Sequence, residues 1–419
     1  MGRAIGCVVV ALTGLFVLIA SRPPAGHAAT TSANPRRMAT GVRVPRRRVT
    51  KPRPRRTATA GTLPPHLPTA VLGYLGGLHM VTPAIGWLNA GPGTIFRTTN
   101  AAHTWTKVFQ SSPGTSMLAW AAPTAQTAWG VVPAATADQM QVWSTTDAGV
   151  QWHAVTLVTP WPIILVHLQV APNGTGSVIA SGQEVVSMQS TQERLWRIAD
   201  NAVVTTPVYT TNNGQFLGAS WTSATDGWAT ATSAAANDTA TVLFRTTDGG
   251  HQWTSVGLPL PPSVPVPTGF SHFAPNLNLS RPPTSLGPDD GYLMARLSLS
   301  SPTSAPTTYP VLYHTTNDRT WRPLWLGPAH HILTQLQWVS GRVIWAVLSP
   351  SANSTSTRIA VSTTAGRLWT VSMAPVQSAT VYDLMAVSST RAILYVLLPM
   401  QVLKTYTTTN GGRTWQASR

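Results

Sequence analysis

From residue 69 onward the chain alternates short apolar or β-branched runs with polar, glycine-rich breaks. Runs such as TIFR, QVWS, TVLFR and RIAVS have the length and composition of strands. No segment after residue 60 sustains the 3.6-residue spacing of an amphipathic helix, so the pattern predicts an all-β domain over residues 69–419. The breaks themselves repeat. Aligned on a closing tryptophan they read TTNAAHTW (98–105), TTDAGVQW (145–152), QSTQERLW (189–196), TTDGGHQW (246–253), TTNDRTW (315–321), STTAGRLW (362–369) and TTNGGRTW (408–415). Their tryptophans stand 47, 44, 57, 68, 48 and 46 residues apart, the period of a four-stranded unit.

Each copy lies between two strand-like runs and reads as a hairpin turn. Asp or Asn can bond backbone amides two residues on, Gly accepts positive φ, and Thr hydroxyls add bonds of their own. The closing tryptophan is expected to cover the turn and pack on the next unit. Upstream stands a second pattern, as in PAIGWLNA, TDGWATA and RVIWAVL, which reads as a turn entering a buried strand marked by Trp87, Trp129, Trp228, Tyr292 and Trp345. Met80, Trp221 and Trp338, seven residues earlier, mark an inner strand. Seven such units in radial array predict a seven-bladed β-propeller of four-stranded antiparallel blades, with the aromatic residues between sheets.

Charge changes the picture at the N-terminus. The net charge is +16, but twelve of the 28 Lys and Arg fall in the first 60 residues, leaving 16 bases against the chain's 12 acids beyond them. The basicity belongs to an arm, which argues against a nucleic-acid-binding domain. Residues 1–28 join one Arg, an apolar run from Ala4 to Ala20 and a small-residue site, the pattern of a signal peptide or an N-terminal membrane anchor. Residues 29–68 read as a basic, Pro-rich disordered linker whose bases at 36–56 could hold anionic lipid or wall polymer. The location implied is extracytoplasmic, secreted or anchored at the membrane. Cys7 lies within the apolar run, so the domain is expected to be stable without disulfides. The low charged content, 10%, fits an acidic habitat, where fewer carboxylates are lost to protonation.

The phrase Ser/Thr-x-Asp-x-Gly-x-x-Trp, complete in Thr145–Trp152 and Thr246–Trp253, resembles the Asp-box, or BNR repeat, of sialidase-like propellers. Paired with the Gly-Trp strand, it looks most like the photosystem II stability/assembly factor-like propellers and exported bacterial proteins with the same repeat. The resemblance implies a structural role for Asn100, Trp105, Asp147, Trp152, Trp196, Asp248, Trp253, Asn317, Trp321, Trp369, Asn410 and Trp415, far from any catalytic centre. Asn replaces Asp in three copies and Thr in two, Thr191 and Thr364, and the fifth copy is one residue short.

A sialidase needs an arginine triad, a Tyr-Glu pair and an acid, and usually carries Phe/Tyr-Arg-Ile-Pro; the nearest stretch here is Trp196-Arg-Ile-Ala199. A glycosidase needs two carboxylates across the scissile bond. Outside the turn motifs the acids are few, and Glu193 reads as part of a degenerate turn. Asp383, beside Tyr382 on an expected inner strand, is the candidate channel carboxylate. His330 and His331 have no acid or Cys at ligand spacing, so no metal site and no cofactor are expected. The stretch 257–290 lengthens one interval and offers Phe270, His272, Phe273 and Arg281 as binding contacts on a lip over one face. The expectation is an exported, monomeric, non-catalytic scaffold recognising a protein or glycan at the cell envelope. The alternatives are a carbohydrate-active hydrolase using Asp383 and a structural envelope protein tethered by its basic arm.

Overall fold

The computed structural model describes residues 75–418 except 184–190, 212–214, 233–240, 265–274, 288, 302–303, 352–355, 377–379 and 399–401. These residues form strands and no helix. Blade 1 is β1 (Leu75–Met80), β2 (Gly86–Ala90), β3 (Thr94–Thr98) and β4 (Thr106–Gln110); blade 2 is β5 (Ala119–Ala121), β6 (Ala128–Pro133), β7 (Gln139–Thr145) and β8 (His153–Val158). Blade 3 is β9 (Ile163–Val170), β10 (Gly176–Gln183), β11 (Thr191–Ala199) and β12 (Ala202–Val203), with β13 (Tyr209–Thr211) continuing the outer edge along β11. Blade 4 is β14 (Gln215–Trp221), β15 (Gly227–Thr232), β16 (Thr241–Thr246) and β17 (Thr254–Val256). Blade 5 is β18 (Pro275–Leu279), β19 (Thr284–Ser285), β20 (Gly291–Ser301), β21 (Ser304–Thr315) and β22 (Arg322–Leu326), with β18 and β19 both paired to β20. Blade 6 is β23 (His331–Trp338), β24 (Ile344–Pro350), β25 (Arg358–Ser362) and β26 (Thr370–Met373); blade 7 is β27 (Thr380–Ala386), β28 (Ala392–Leu398), β29 (Val402–Thr408) and β30 (Gln416–Ala417). Every pairing is antiparallel and, apart from β11–β13 and β18–β20, joins sequence neighbours, as expected for a seven-bladed propeller.

Each blade is one continuous stretch of chain, and no strand among the described residues is exchanged between the first and last blades. Side chains close the ring instead. Leu78, Met80 and Leu88 of blade 1 pack with Met385, Tyr395 and Leu403 of blade 7. Asp383 Oδ2 on β27 accepts a hydrogen bond from the Met80 N–H on β1 at 2.5 Å.

One end of every blade is clamped by the same backbone bond. In blades 1 to 7 the hairpin after the third strand donates one N–H to the turn after the first: Ala101 to Ala84, Ala148 to Gln126, Asn201 to Gly174, Gly249 to Thr225, Asp318 to Asp289, Ala365 to Arg342 and Gly411 to Thr390. Both kinds of turn therefore lie at one end of the ring. Within the second hairpin the Thr145 hydroxyl donates to Asp147 Oδ1 (2.8 Å), which also accepts the Gln151 N–H (2.9 Å), while the Gly149 N–H donates to Thr145 (3.0 Å). Asn100 and Asn410 accept the Thr104 and Thr414 N–H groups in the same way, at 2.9 and 3.0 Å, and the Thr364 hydroxyl accepts Leu368 N–H at 2.8 Å. One oxygen in that place is what the turn requires; the negative charge is dispensable.

Two expectations change. The closing tryptophans lean on the preceding blade, not the next: Trp152 lies 4.7 Å from Phe109 of blade 1, Trp369 stacks on Trp325 of blade 5 at 4.3 Å, and Trp321 meets Trp228 of blade 4. The chain's direction from inner to outer strand, with its twist, carries each outer hairpin back over its predecessor. Trp196 closes no hairpin. It lies mid-strand in β11, opposite Val178, and the blade turns at Asp200 and Asn201, both with positive φ (50° and 58°). Such a two-residue turn matches the twist of the strands it joins.

Candidate functional site

An inner strand pairs on one side only, so its other edge exposes N–H and C=O groups towards the ring's axis. Here polar side chains from the preceding blade engage that edge. Gln335 of blade 6 donates to Tyr382 O (2.8 Å), and Gln337 accepts the Ala386 N–H (2.5 Å). Asp383 of blade 7 takes Met80 N–H of blade 1, and its second oxygen takes Leu384 N–H at 3.0 Å. Glu193 of blade 3 takes Phe216 N–H of blade 4 at 2.7 Å and the Ser181 hydroxyl at 2.7 Å.

These bonds define what the acids can do. Asp383 is nearly buried rather than open to the channel, and burial pushes its pKa upward against the pull of His79 and two N–H donors. Glu193 lies on a strand, not in a turn, and is 1% exposed. Burial raises it to about 7, opposed by Phe216 N–H and the Ser181 hydroxyl. Asp318 is raised by burial too, although Trp228 Nε1 donates to it at 2.5 Å across the seam between blades 4 and 5. All three join adjacent blades. Asp318 and Asp290 line one pocket of about 10 Å³, far too small to admit the glycosidic bond that two carboxylates would have to flank.

The turn end concentrates charge, and the arginines stacked on its tryptophans are engaged. Arg97 stacks over Trp87 at 5.4 Å and donates to Ala125 O of blade 2; Arg197 stacks over Trp221 at 4.9 Å and donates to Ser223 O of blade 4. Arg245 stacks over Trp228 at 5.7 Å and pairs with Asp226 at 3.1 Å. The His314–Asp290 pair, 2.6 Å apart, occupies the same register on blade 5, since Tyr292 faces His314 as Trp228 faces Arg245. A groove of about 330 Å³ between His314, Asn317 and Arg322 lies beside it. Its histidine and carboxylate are blade fittings shared with blade 4.

The opposite end, where inner strands start, is sparsely charged: Asp138, Arg194, Arg296, Arg358 and Lys404 stand there beside the buried Glu193, among the described residues. It carries an apolar patch at the crossing from blade 2 to blade 3. Ile164 is 64% exposed, Val158 46%, Leu118 40% and Leu165 38%. Leu118 precedes Ala119, which packs in the same cluster as Ile163. Beneath the patch the buried Trp161 ring is covered by Arg194 at 5.5 Å, and Arg194 donates to Val158 O at 2.9 Å. Exposed apolar side chains at one end of a ring mark candidate interaction surfaces.

Of the expected contacts on the 257–290 stretch, Phe270, His272 and Phe273 lie outside the described residues, and Arg281 is exposed in the connection after β18. His331 is buried between Ala329 O and Ser356 O. No group of three His, Cys, Asp or Glu with metal-site geometry occurs among the described residues. The patch at 158–165 is not among the sites the sequence pattern suggests. The signal that could have found it is the apolar stretch LVTPWPIILV, longer than one strand needs and broken by two prolines.

No family model and no curated protein matches the chain. Among solved structures it is similar to YCF48 from Cyanidioschyzon merolae, at 13% identity over 83% of this chain and 96% of that one, with a TM-score of 0.42. A second YCF48 structure, bound to D1 peptide, matches at 12% identity over 80% and 90% of the two chains, TM-score 0.41. The GH74 xyloglucanase of Xanthomonas campestris matches at 13% identity over 81% of this chain and 52% of its own, TM-score 0.46. Binding proteins and hydrolases thus appear side by side, and the assignment of architecture rests on the sheet topology itself.

Proposed function

We propose that this chain is a non-catalytic binding scaffold of the cell envelope, built on Asp-box hairpins, that recognises a protein partner through the strand-start end of its ring. One observation carries the reading: Asp383 and Glu193, the buried carboxylates nearest the inner strands, are engaged in joining blades, while the apolar patch around Ile164 is left exposed on a rigid support. Sheets of this kind hold loops and edge side chains in fixed relation, which lowers the entropic cost of association. The basic stretch at 36–56 would keep the ring close to anionic lipid or wall polymer.

The test is a pull-down from the native envelope with the full chain, alongside turnover assays on a glycan panel. A saturable protein partner and no turnover are the expected results. Turnover that disappears in Asp383→Asn would refute the reading in favour of a hydrolase. Release of the protein from cells by high salt, absent in a variant lacking 36–56, would identify the electrostatic tether.

A further inference from the structure

The turn end divides its charge around the ring. Among the described residues its carboxylates all belong to blades 2 to 5, Asp147, Asp226 and Asp290 with them. From residue 327 to the end of the chain the one acid is Asp383, buried at the seam between blades 7 and 1. The turns of blades 6 and 7 instead carry Arg342, Arg367, Arg391 and Arg413, all exposed. Arg391 occupies the position just before the second strand that holds Asp226 in blade 4 and Asp290 in blade 5. Unlike Arg97, Arg197 and Arg245, none of these four guanidinium groups stacks on a ring, donates a hydrogen bond or meets a carboxylate among the described residues.

Backbone bonds gather the turns that bear them. The Ala365 N–H donates to Arg342 O at 2.8 Å, which sets Arg342 beside the hairpin of Arg367, and the Gly411 N–H donates to Thr390 O at 2.9 Å, which sets Arg391 beside the hairpin of Arg413. The two blades are joined at this end, where Trp345 Nε1 donates to Ser388 O at 2.8 Å and the Ser372 hydroxyl to Gly412 O at 2.7 Å. Two exposed aliphatic side chains stand on the same turns: Leu368 follows Arg367, and Val387 donates its N–H to Arg391 O at 2.9 Å.

We infer that the turn end of blades 6 and 7 docks on an anionic lipid surface, its four arginines among the phosphate headgroups and Leu368 and Val387 towards the acyl boundary. Unmatched cations with no acid between them call for an anionic partner. A fluid headgroup layer offers phosphates at any spacing, so it meets cations on separate turns without matching their positions, and it takes apolar tips beside them. The chain outside the ring carries the same complementarity, since residues 36–56 hold ten bases and no acid. This goes beyond the binding reading above and leaves the strand-start end, on the other side of the ring, to a protein.

The test uses the full chain with Cys7→Ser and Leu368→Cys, whose single cysteine takes an environment-sensitive fluorophore. In protein recovered by flotation on phosphatidylcholine vesicles containing phosphatidylglycerol, the label should shift to the blue; on phosphatidylcholine alone it should not. Arg367→Gln with Arg413→Gln should lower the docked fraction at least about tenfold. Arg358→Gln with Lys404→Gln removes the same charge from the opposite end of the same two blades and should leave the shift unchanged. A label at Val158→Cys, also at that end, should stay unshifted. Only protein already on the vesicles is read, so the result is independent of how the apolar run from Ala4 to Ala20 behaves. Tryptophan fluorescence checks that each variant is folded. An unshifted label at 368, an equal shift at 158, or equal loss from the two charge pairs would overturn the site. A shift at 368 with soluble poly-glutamate but not with vesicles would also overturn it, and would give the arginines to an acidic polypeptide.

Discussion

Glu193 ties two blades together with a carboxylate that burial disfavours, and this makes the ring's stability depend on pH in a defined direction. Its pKa rises from 4.5 in the unfolded chain to about 7 in the ring. The folded state therefore holds its proton more tightly, and the associated stabilisation is complete below pH 4.5 and lost as pH rises through about 7. A tenfold difference in proton affinity is worth about 1.4 kcal/mol, so the swing is about 3 kcal/mol. Glu193→Gln removes it without removing the bonds. The amide oxygen can accept Phe216 N–H while the amide nitrogen donates to the Ser181 hydroxyl, which is free to turn and accept. In urea unfolding followed by tryptophan fluorescence at successive pH values, the difference between variant and wild type should be near zero at pH 4.5. It should grow to about 3 kcal/mol in favour of Gln by pH 8. Taking the difference cancels His167, whose depressed pKa acts in the opposite sense, and the other carboxylates. Parallel curves, offset by a constant, would show that Glu193 has the same proton affinity in the ring as in the unfolded chain and refute the reasoning.

Asp383→Asn should behave oppositely at pH 5. An amide nitrogen facing Met80 N–H or Leu384 N–H sets donor against donor at the ring's closure. A loss of about 1–3 kcal/mol is expected by the same urea assay, and an unchanged midpoint would mean that packing alone closes the ring. Ala148 and Gly149 both sit at positive φ, 65° and 88°, and a Cβ on Gly149 would lie 2.8 Å from Val108 of blade 1. Ala148→Gly should stabilise by up to about 1 kcal/mol and Gly149→Ala should cost about 2 kcal/mol or more; thermal melts that reverse this order would count against the turn geometry.

The seven-bladed ring is legible in the chain because each blade repeats two local devices, the Gly-Trp strand and the Thr-x-Asp/Asn hairpin, whose physics acts over fewer than ten residues. Blade 3 misleads because a tryptophan copies the motif without its geometry. Thr191–Ala199 keeps the residue types of a strand throughout, and the true turn signal, Asp200-Asn201 between WRIA and AVV, stands four residues later. The seams are not legible at all. Glu193 meets Phe216 and Asp383 meets Met80 through inter-blade register, the second pair 303 residues apart, and no local pattern encodes which inner-edge N–H lacks a partner.

The same register explains why acids and arginines are poor guides to function. A propeller must satisfy an inner edge and two turns in every blade, and with only 12 acids the chain assigns several of them to those tasks: Asp147 and Asp248 in hairpins, Asp226 against Arg245, Asp318 under Trp228, and Glu193 and Asp383 on inner edges. All four stacked arginines are engaged in the same manner, three with backbone carbonyls of adjacent blades and Arg245 with Asp226. The chemistry left over is therefore more informative than the chemistry present. The exposed aliphatic side chains Ile164, Val158, Leu118 and Leu165 serve none of these tasks, which leaves them to the partner proposed above.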